Sequence, residues 1–183
     1  MIIGLTGYAR SGKDSVAKVL VDHYGFIRLA FADPIRDLLL EVNPILDKGN
    51  RLSSLVDEYG WDIAKAQPEV RRLLQTLGVG ARKVFGENHW IDQTLKHIPS
   101  AAYYLNNFVI TDVRFKNEAD AIKNNVHVSS HIWRVERPGV GAINNHISES
   151  EMSTFTVDQT FVNDGTLEDL EAMIKARMVG LLV

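Results

Sequence analysis

The sequence predicts an α/β fold built on a mostly parallel sheet. Apolar runs of strand length alternate with helical patterns along the 183 residues. A glycine-bearing turn also joins the first strand-like run directly to the first helical one. A later apolar run, Asn107 to Asp112, ends in an acidic residue, as strands facing a ligand edge often do.

Taken in order, Ile2 to Thr6 is a short strand, apolar on both faces as a central parallel strand should be. Val16, Val19, Leu20 and Tyr24 recur at helical spacing, with Gly25 as the stop. Ile27 to Phe31 reads as a second strand. Asp33-Pro34 then opens a helix, with Asp at a cap position and Pro at the first helical position. Leu38 to Gln67 is the least legible stretch; Asn43-Pro44, Gly49-Asn50 and Tyr59-Gly60 suggest short helices joined by loops. Pro68 to Phe85 is helical, with Val70, Leu73, Leu74 and Leu77 on one face, and a further helix is expected over Asn88 to His97. After the strand at 107–112 come a polar helix, Lys116 to Asn124, and a strand, His131 to Glu136. A glycine- and proline-bearing loop follows from Arg137 to His146. Gln159 to Val162 is a last strand. Thr166 then starts a helix with Asp169 at the capping-box position and Leu167, Leu170, Ile174, Met178 and Leu181 on its buried face.

Composition narrows the function classes. Hydrophobic residues at 45% and charged residues at 23% describe an ordinary globular chain, long enough for one compact domain. A net charge of -3 argues against a nucleic-acid polymer as partner. Basic residues cluster only locally, at Arg71, Arg72, Arg82 and Lys83 and at Arg134 and Arg137, which suits a small anion. There is no cysteine, so disulfides and thiolate metal sites are excluded, as fits a reducing compartment. The N-terminus lacks a basic n-region, and no apolar run approaches the roughly 20 residues that span a bilayer. A cytoplasmic protein without a membrane partner is expected.

The chemistry is carried by Gly7-Tyr8-Ala9-Arg10-Ser11-Gly12-Lys13-Asp14, two glycines four residues apart with Lys after the second. This P-loop pattern follows a strand and opens a helix, the context it requires. Gly7 and Gly12 allow the tight turn that points successive N–H groups at a phosphate, and the helix adds its positive end. Lys13 can reach the β- and γ-phosphates of ATP. Where a hydroxyl residue usually ligates magnesium, Asp14 stands, followed by Ser15. Three readings stay open: Asp14 binds the metal, Ser15 substitutes for it, or Asp14 caps the helix.

Asp112 ends a strand on the ligand edge, where it could hold Mg2+ or cap the helix near Lys116. Arg114 could meet an acceptor phosphate, or pair with Glu118. A base-specificity loop of the Asn-Lys-x-Asp kind is missing, which disfavours a GTPase. A motor or helicase would be longer. Scattered arginines on a short chain suit a kinase whose acceptor is already phosphorylated.

Several further segments complete a resemblance. Phe31-Ala32-Asp33-Pro34-Ile35-Arg36, Leu74-Gln75-Thr76-Leu77-Gly78 with Arg82 and Trp90, Asp112-Val113-Arg114-Phe115-Lys116-Asn117-Glu118, and His146-Ile147-Ser148-Glu149 stand in order along nearly the whole chain. With the loop, they make the sequence resemble the phage-type deoxynucleoside monophosphate kinases, of the adenylate-kinase-like superfamily. The loop with Asp is shared by some phosphomevalonate kinases, so the combination carries the specificity.

The resemblance implies a three-layer P-loop NTPase fold: a five-stranded parallel sheet, a helical insertion for the nucleoside monophosphate, and a lid. As one domain, the core would cover about 1–31, 105–136 and 155–183, the insertion about 32–104 and the lid about 137–154. It implies ATP-dependent phosphorylation of deoxynucleoside monophosphates, a transferase reaction of deoxynucleotide biosynthesis, in the host cytoplasm if the chain is phage-encoded. ATP and Mg2+ would be the cofactors, and some relatives associate as homodimers. The nucleotide would be held by Gly7, Ala9, Arg10, Ser11, Gly12, Lys13, Asp14 and Ser15, with Arg134 and with backbone groups of Asn163, Asp164 and Gly165 around adenine. The acceptor would meet Asp33, Arg36, Arg71, Gln75, Arg82, Trp90, Asp112 and Arg114. Lys13, Arg82, Arg114 and Arg137 would be catalytic, and Asp14 and Asp112 the metal ligands. One of Arg134 and Arg137 would be structural. Gln75 reads a base edge or is simply exposed, and Arg71 is preferred over Arg72 for phosphate only weakly. His146 would be a hinge or cap residue first and a phosphate contact second, with Ser148 and Glu149 beside it. Tyr8, Phe85 or Trp90 would exclude a 2′-hydroxyl. Two rivals remain: a kinase of another phosphorylated metabolite, of the phosphomevalonate or dephospho-coenzyme A type, and an ATPase switch acting on a protein partner.

Overall fold

The computed structural model describes residues 1–96, 98, 100–141 and 151–182. The chain forms two compact units, residues 1–30 with 98–183, and residues 31–97.

In the first unit, β1 (Ile2–Thr6), β2 (Ile27–Leu29), β3 (Phe108–Ile110), β4 (Ser130–Glu136) and β5 (Gln159–Val162) form one sheet in the order β2-β3-β1-β4-β5. Every pairing is parallel. The order puts β1 at the centre, and its crossovers leave to opposite sides, so the carboxyl end of β1 opens on a crevice. The first-unit helices supply the outer layers: α1 (Lys13–Tyr24), α6 (Ser100–Leu105), α7 (Lys116–Lys123) and α8 (Leu167–Leu182).

Strand alternation decides which layer each residue serves. Ile3 and Leu5 of β1 face α1 and α8 in a core with Val16, Leu20, Val109, Trp133, Val135, Phe161, Leu170, Ile174 and Met178. On the other face, Ile122 of α7 and Ile132 of β4 close over Gly4. Both faces of β1 are buried, as its all-apolar sequence requires.

The second unit is helical: α2 (Asp33–Val42), α3 (Leu52–Ala64), α4 (Pro68–Phe85) and α5 (His89–Leu95), with a single 3-10 turn at Asp47–Gly49. Its core is small, built from Leu39, Leu46, Leu52 and Val70, with Trp61, Leu73, Leu74 and Leu77 partly buried against them. Residues 31–97 thus carry a core of their own.

Local chemistry explains most boundaries. Gly25 stops α1 in a left-handed conformation, and its N–H donates to the Leu20 and Val21 carbonyls. The capping box at α8 is present: the Thr166 N–H donates to Asp169 Oδ2 at 2.8 Å, and the Asp169 N–H to Thr166 Oγ1 at 3.2 Å. Leu167 differs from expectation. It is 66% exposed, because the first turn of α8 projects past the core that takes Leu170, Ile174 and Met178. β2 and β3 pair over only three residues each, so the strands expected over 27–31 and 107–112 are shorter. The illegible stretch holds α3, kinked where Gly60 takes φ 75° and ψ 169°.

Asp158, just before β5, ties three elements of the first unit. Its carboxylate accepts the Ile132 N–H at 2.7 Å and the Lys123 ammonium at 2.9 and 3.1 Å. Burial opposes the charged form, but these bonds outweigh it and hold Asp158 below its ordinary range. Burial lowers the pKa of neighbouring His131, with Asp158 opposing. A lowered histidine pKa means the unfolded chain takes up the proton first, so stability is full above about 6.5 and declines as pH falls below it. The Asp158 contribution is present above the ordinary carboxylate pKa and lost only as pH falls through the lowered one. Denaturant titration at stepped pH is therefore expected to show a decline beginning near pH 6.5, which His131→Gln flattens. Superimposable profiles would remove His131 as its source.

Candidate phosphate-binding site

The loop from Gly7 to Gly12 leaves β1 and turns sharply into α1. Gly7 takes φ 138°, Arg10 φ 66° and Gly12 φ 114°, so three of its six residues are left-handed. Space as well as conformation demands glycine at two of them. A Cβ on Gly7 would lie 2.2 Å from the Val135 carbonyl oxygen, and one on Gly12 2.5 Å from Asn163 Nδ2. No side chain caps α1, so its positive end is available to an anion.

The Lys13 ammonium donates to the Gly7 and Tyr8 carbonyls, both at 2.8 Å, which holds it over the loop. Thr6 Oγ1 and Ser11 Oγ are buried and have no hydrogen-bond partner among the described residues. Such orphans beside the open N-terminus of α1 favour an oxygen-rich guest. Ala9, Arg10 and Asp14 are exposed, and Ser15 is half-buried in the first turn of α1.

The neighbouring strands bring further candidates to the same sheet edge. Asp112 follows β3 and is half-buried. Buried Glu118 accepts the Arg114 and Phe115 N–H groups at 2.7 and 3.0 Å at the start of α7. This also answers the expected Arg114–Glu118 pair, because Glu118 meets the Arg114 backbone. The Arg114 side chain is exposed.

Arg134 stands opposite Thr6 in the β1–β4 register, and its Nη2 donates to the Met152 carbonyl at 2.6 Å. Arg137 lies just beyond β4 and is exposed. Asn163 and Gly165 follow β5. The Asn163 side chain turns to the loop and donates to the Ser11 carbonyl at 2.8 Å. Nothing in the sequence pattern points to that contact, since it joins residues 152 positions apart. His146, Ser148 and Glu149 lie outside the described residues.

In the second unit, α4 carries Arg71, Gln75 and Arg82 at helical spacing on one stripe, with Arg71 and Gln75 exposed and Arg82 half-buried. Arg72 is committed to Glu69, at 2.7 Å. Trp90 is buried, and its indole N–H donates to the Gly78 carbonyl at 2.9 Å, so its ring serves the packing of α5 on α4. Arg36 pairs with Asp33 at 2.9 Å, and its guanidinium lies 5.9 Å from the centre of the Trp61 ring. Sequence reasoning missed Trp61, which the kink at Gly60 turns toward α2. Of the candidates for excluding a 2′-hydroxyl, Tyr8 is half-buried, and Phe85 is 70% exposed and stacked near His89.

A parallel sheet in this order, with this loop at its central strand, defines a P-loop NTPase fold. The solved dephospho-CoA kinase from Campylobacter jejuni shares it with a TM-score of 0.52 at 10% identity, over 98% of this chain and 96% of that one. Residues 54–174 match the deoxynucleotide monophosphate kinase family, and the chain belongs to that family. A protein of Acanthamoeba polyphaga mimivirus provisionally named deoxynucleotide monophosphate kinase is 29% identical, over 95% of this chain and 94% of its own length. The deoxynucleotide monophosphate kinase of Enterobacteria phage T4 is 22% identical, over 95% of this chain and 97% of its own. No helix among the described residues is long and apolar enough to cross a membrane.

Proposed function

We propose that this chain transfers the γ-phosphoryl group of ATP to a deoxynucleoside monophosphate, giving ADP and the deoxynucleoside diphosphate. The observation that carries the reading is the loop Gly7–Lys13, whose two glycines admit no side chain and whose lysine is held over it, in a chain of this family. An acceptor phosphate oxygen attacks the γ-phosphorus as the bond to the β–γ bridging oxygen breaks. The acceptor oxygen is already anionic near neutral pH, so positioning and charge do the work, and no strong base is needed.

Each residue then has a task. Gly7 to Gly12 cradle the β-phosphate with their amides, and Lys13 neutralises the β- and γ-oxygens. The exposed Asp14 and half-buried Asp112 offer hard carboxylate oxygens, and Ser15 a hydroxyl, a donor set that fits magnesium. Bound there, Mg2+ would neutralise the charge gathering on the β- and γ-phosphate oxygens. Arg71, Arg82 and Arg114 hold the acceptor phosphate, Gln75 presents its amide to the base, and Asp33 holds Arg36 ready for an anion. Trp90 acts from beneath, by fixing Gly78. Arg137, exposed and unlike Arg134 not engaged by Met152, is the arginine for the transferring group. Residues about 32–104 serve as the monophosphate-binding section, and about 137–154 as the lid. A homodimer in the cytoplasm, that of the host if the chain is phage-encoded, completes the reading.

The test is ATP consumption by the purified protein with magnesium. It is run against deoxynucleoside monophosphates, ribonucleoside monophosphates and phosphorylated non-nucleotide metabolites. Stimulation confined to the deoxynucleoside monophosphates is expected. Slow basal hydrolysis unmoved by every nucleotide would overturn the reading.

A further inference from the structure

We propose that Asn163 is a positioning residue whose side-chain amide fixes the Ser11–Gly12 peptide and so sets the anion-binding face of the loop. The inference rests on reading the loop as the triphosphate site. It gives the Asn163 side chain a task beside any backbone contact with adenine, since its Nδ2 donates to the loop.

The peptide concerned is vulnerable. It lies between Arg10, left-handed at φ 66°, and the junction with Gly12 at φ 114°, where glycine resists rotation least. A trans peptide carries its C=O and N–H in opposite directions. A bond that holds the Ser11 carbonyl toward β5 therefore holds the Gly12 N–H away from it, on the concave side of the loop. A flipped peptide would present a carbonyl to the phosphate in place of a donor, and the cradle would repel its ligand.

Asn163 is built to prevent the flip. It is 5% exposed, its Nδ2 donates to the Ser11 carbonyl at 2.8 Å, and the same nitrogen fills the space a Gly12 Cβ would need. Its own backbone is fixed, since its N–H donates to the Glu136 carbonyl at 2.7 Å and extends the β4–β5 pairing. Downstream, Thr166 and Asp169 lock the start of α8. The amide is thus mounted on the sheet and on the following helix, and braces the loop across the top of the core.

The experiment measures ATP affinity by calorimetric titration without acceptor, and then kcat and both KM values, for the native protein, Asn163→Ala and Asn163→Asp. Loss of one buried hydrogen bond is expected to weaken ATP binding roughly tenfold in Asn163→Ala. The KM for the acceptor and the thermal midpoint should stay near native. Asn163→Asp keeps the shape but sets a carboxylate against a carbonyl, so it should bind ATP more weakly still. Its deficit should shrink as pH falls and the protonated carboxyl regains a donor. Native ATP affinity in both variants would overturn the proposal, as would both variants unfolding, which would make Asn163 part of the scaffold. Failure of the native protein to bind ATP would overturn it too. Asn163-dependent ATP binding without acceptor turnover would support the positioning role and count only against the proposed acceptor.

Discussion

Replacing Lys13 by Ala is expected to lower kcat by about a hundred- to a thousandfold, the usual cost of removing one group aimed at transition-state charge. The change should spare the fold. The Lys13 ammonium donates to two carbonyls of its own loop, at Gly7 and Tyr8. Their loss is worth about 1 kcal/mol each at most. Circular dichroism and a thermal midpoint near native, beside collapsed turnover, are the expected pair of results. Lys13→Arg should rescue little, since a planar fork cannot replace a compact charge that must sit between two carbonyls and a phosphate. Native turnover in folded Lys13→Ala protein would remove the loop from the chemistry altogether.

How far this site could be read in the sequence depends on how local its causes are. Gly7-x-x-x-x-Gly12-Lys13 is legible because strand, turn and helix are contiguous, and each glycine answers a positive φ that the same few residues create. The α8 capping box is equally local, three residues wide. The roles of Glu118 and Asn163 are not. Glu118 looked like an ion-pair partner for Arg114 on spacing alone, yet burial turns its carboxylate to two backbone N–H groups that lack helical partners. Asn163 meets Ser11 only because β1 and β5 end on the same edge of one sheet. Trp90 is another such case, its ring buried and its indole N–H donating to the Gly78 carbonyl. The kink in α3 hid its length for a related reason. Gly60 interrupts the helical pattern in sequence, while the chain on either side remains helical because Leu52 and Trp61 pack on one core.

Replacing Gly7 by Ala should be the most damaging single methyl addition in the first unit, and it separates two costs that glycine usually hides together. At φ 138° an alanine is strained whatever the space. The added Cβ also lies 2.2 Å from the Val135 carbonyl oxygen, so either the loop or β4 must move. Neither can move cheaply. Val135 is fully buried and pairs with Phe161 in the next strand, and the loop carries the Lys13 bonds at its own base. Gly25 is the matching control, with φ 67° and nothing within 4 Å of an added Cβ. Gly25→Ala should cost about 1 kcal/mol, the conformational term alone, and leave turnover unchanged. Gly7→Ala should cost about 2 kcal/mol or more, because overpacking adds to the strain. It should also abolish ATP binding, since a loop displaced from β4 no longer aligns its amides. Denaturant midpoints and ATP titration on the two variants check both halves. Equal stability losses would mean that the contact with Val135 relaxes freely and that conformation alone demands glycine at Gly7.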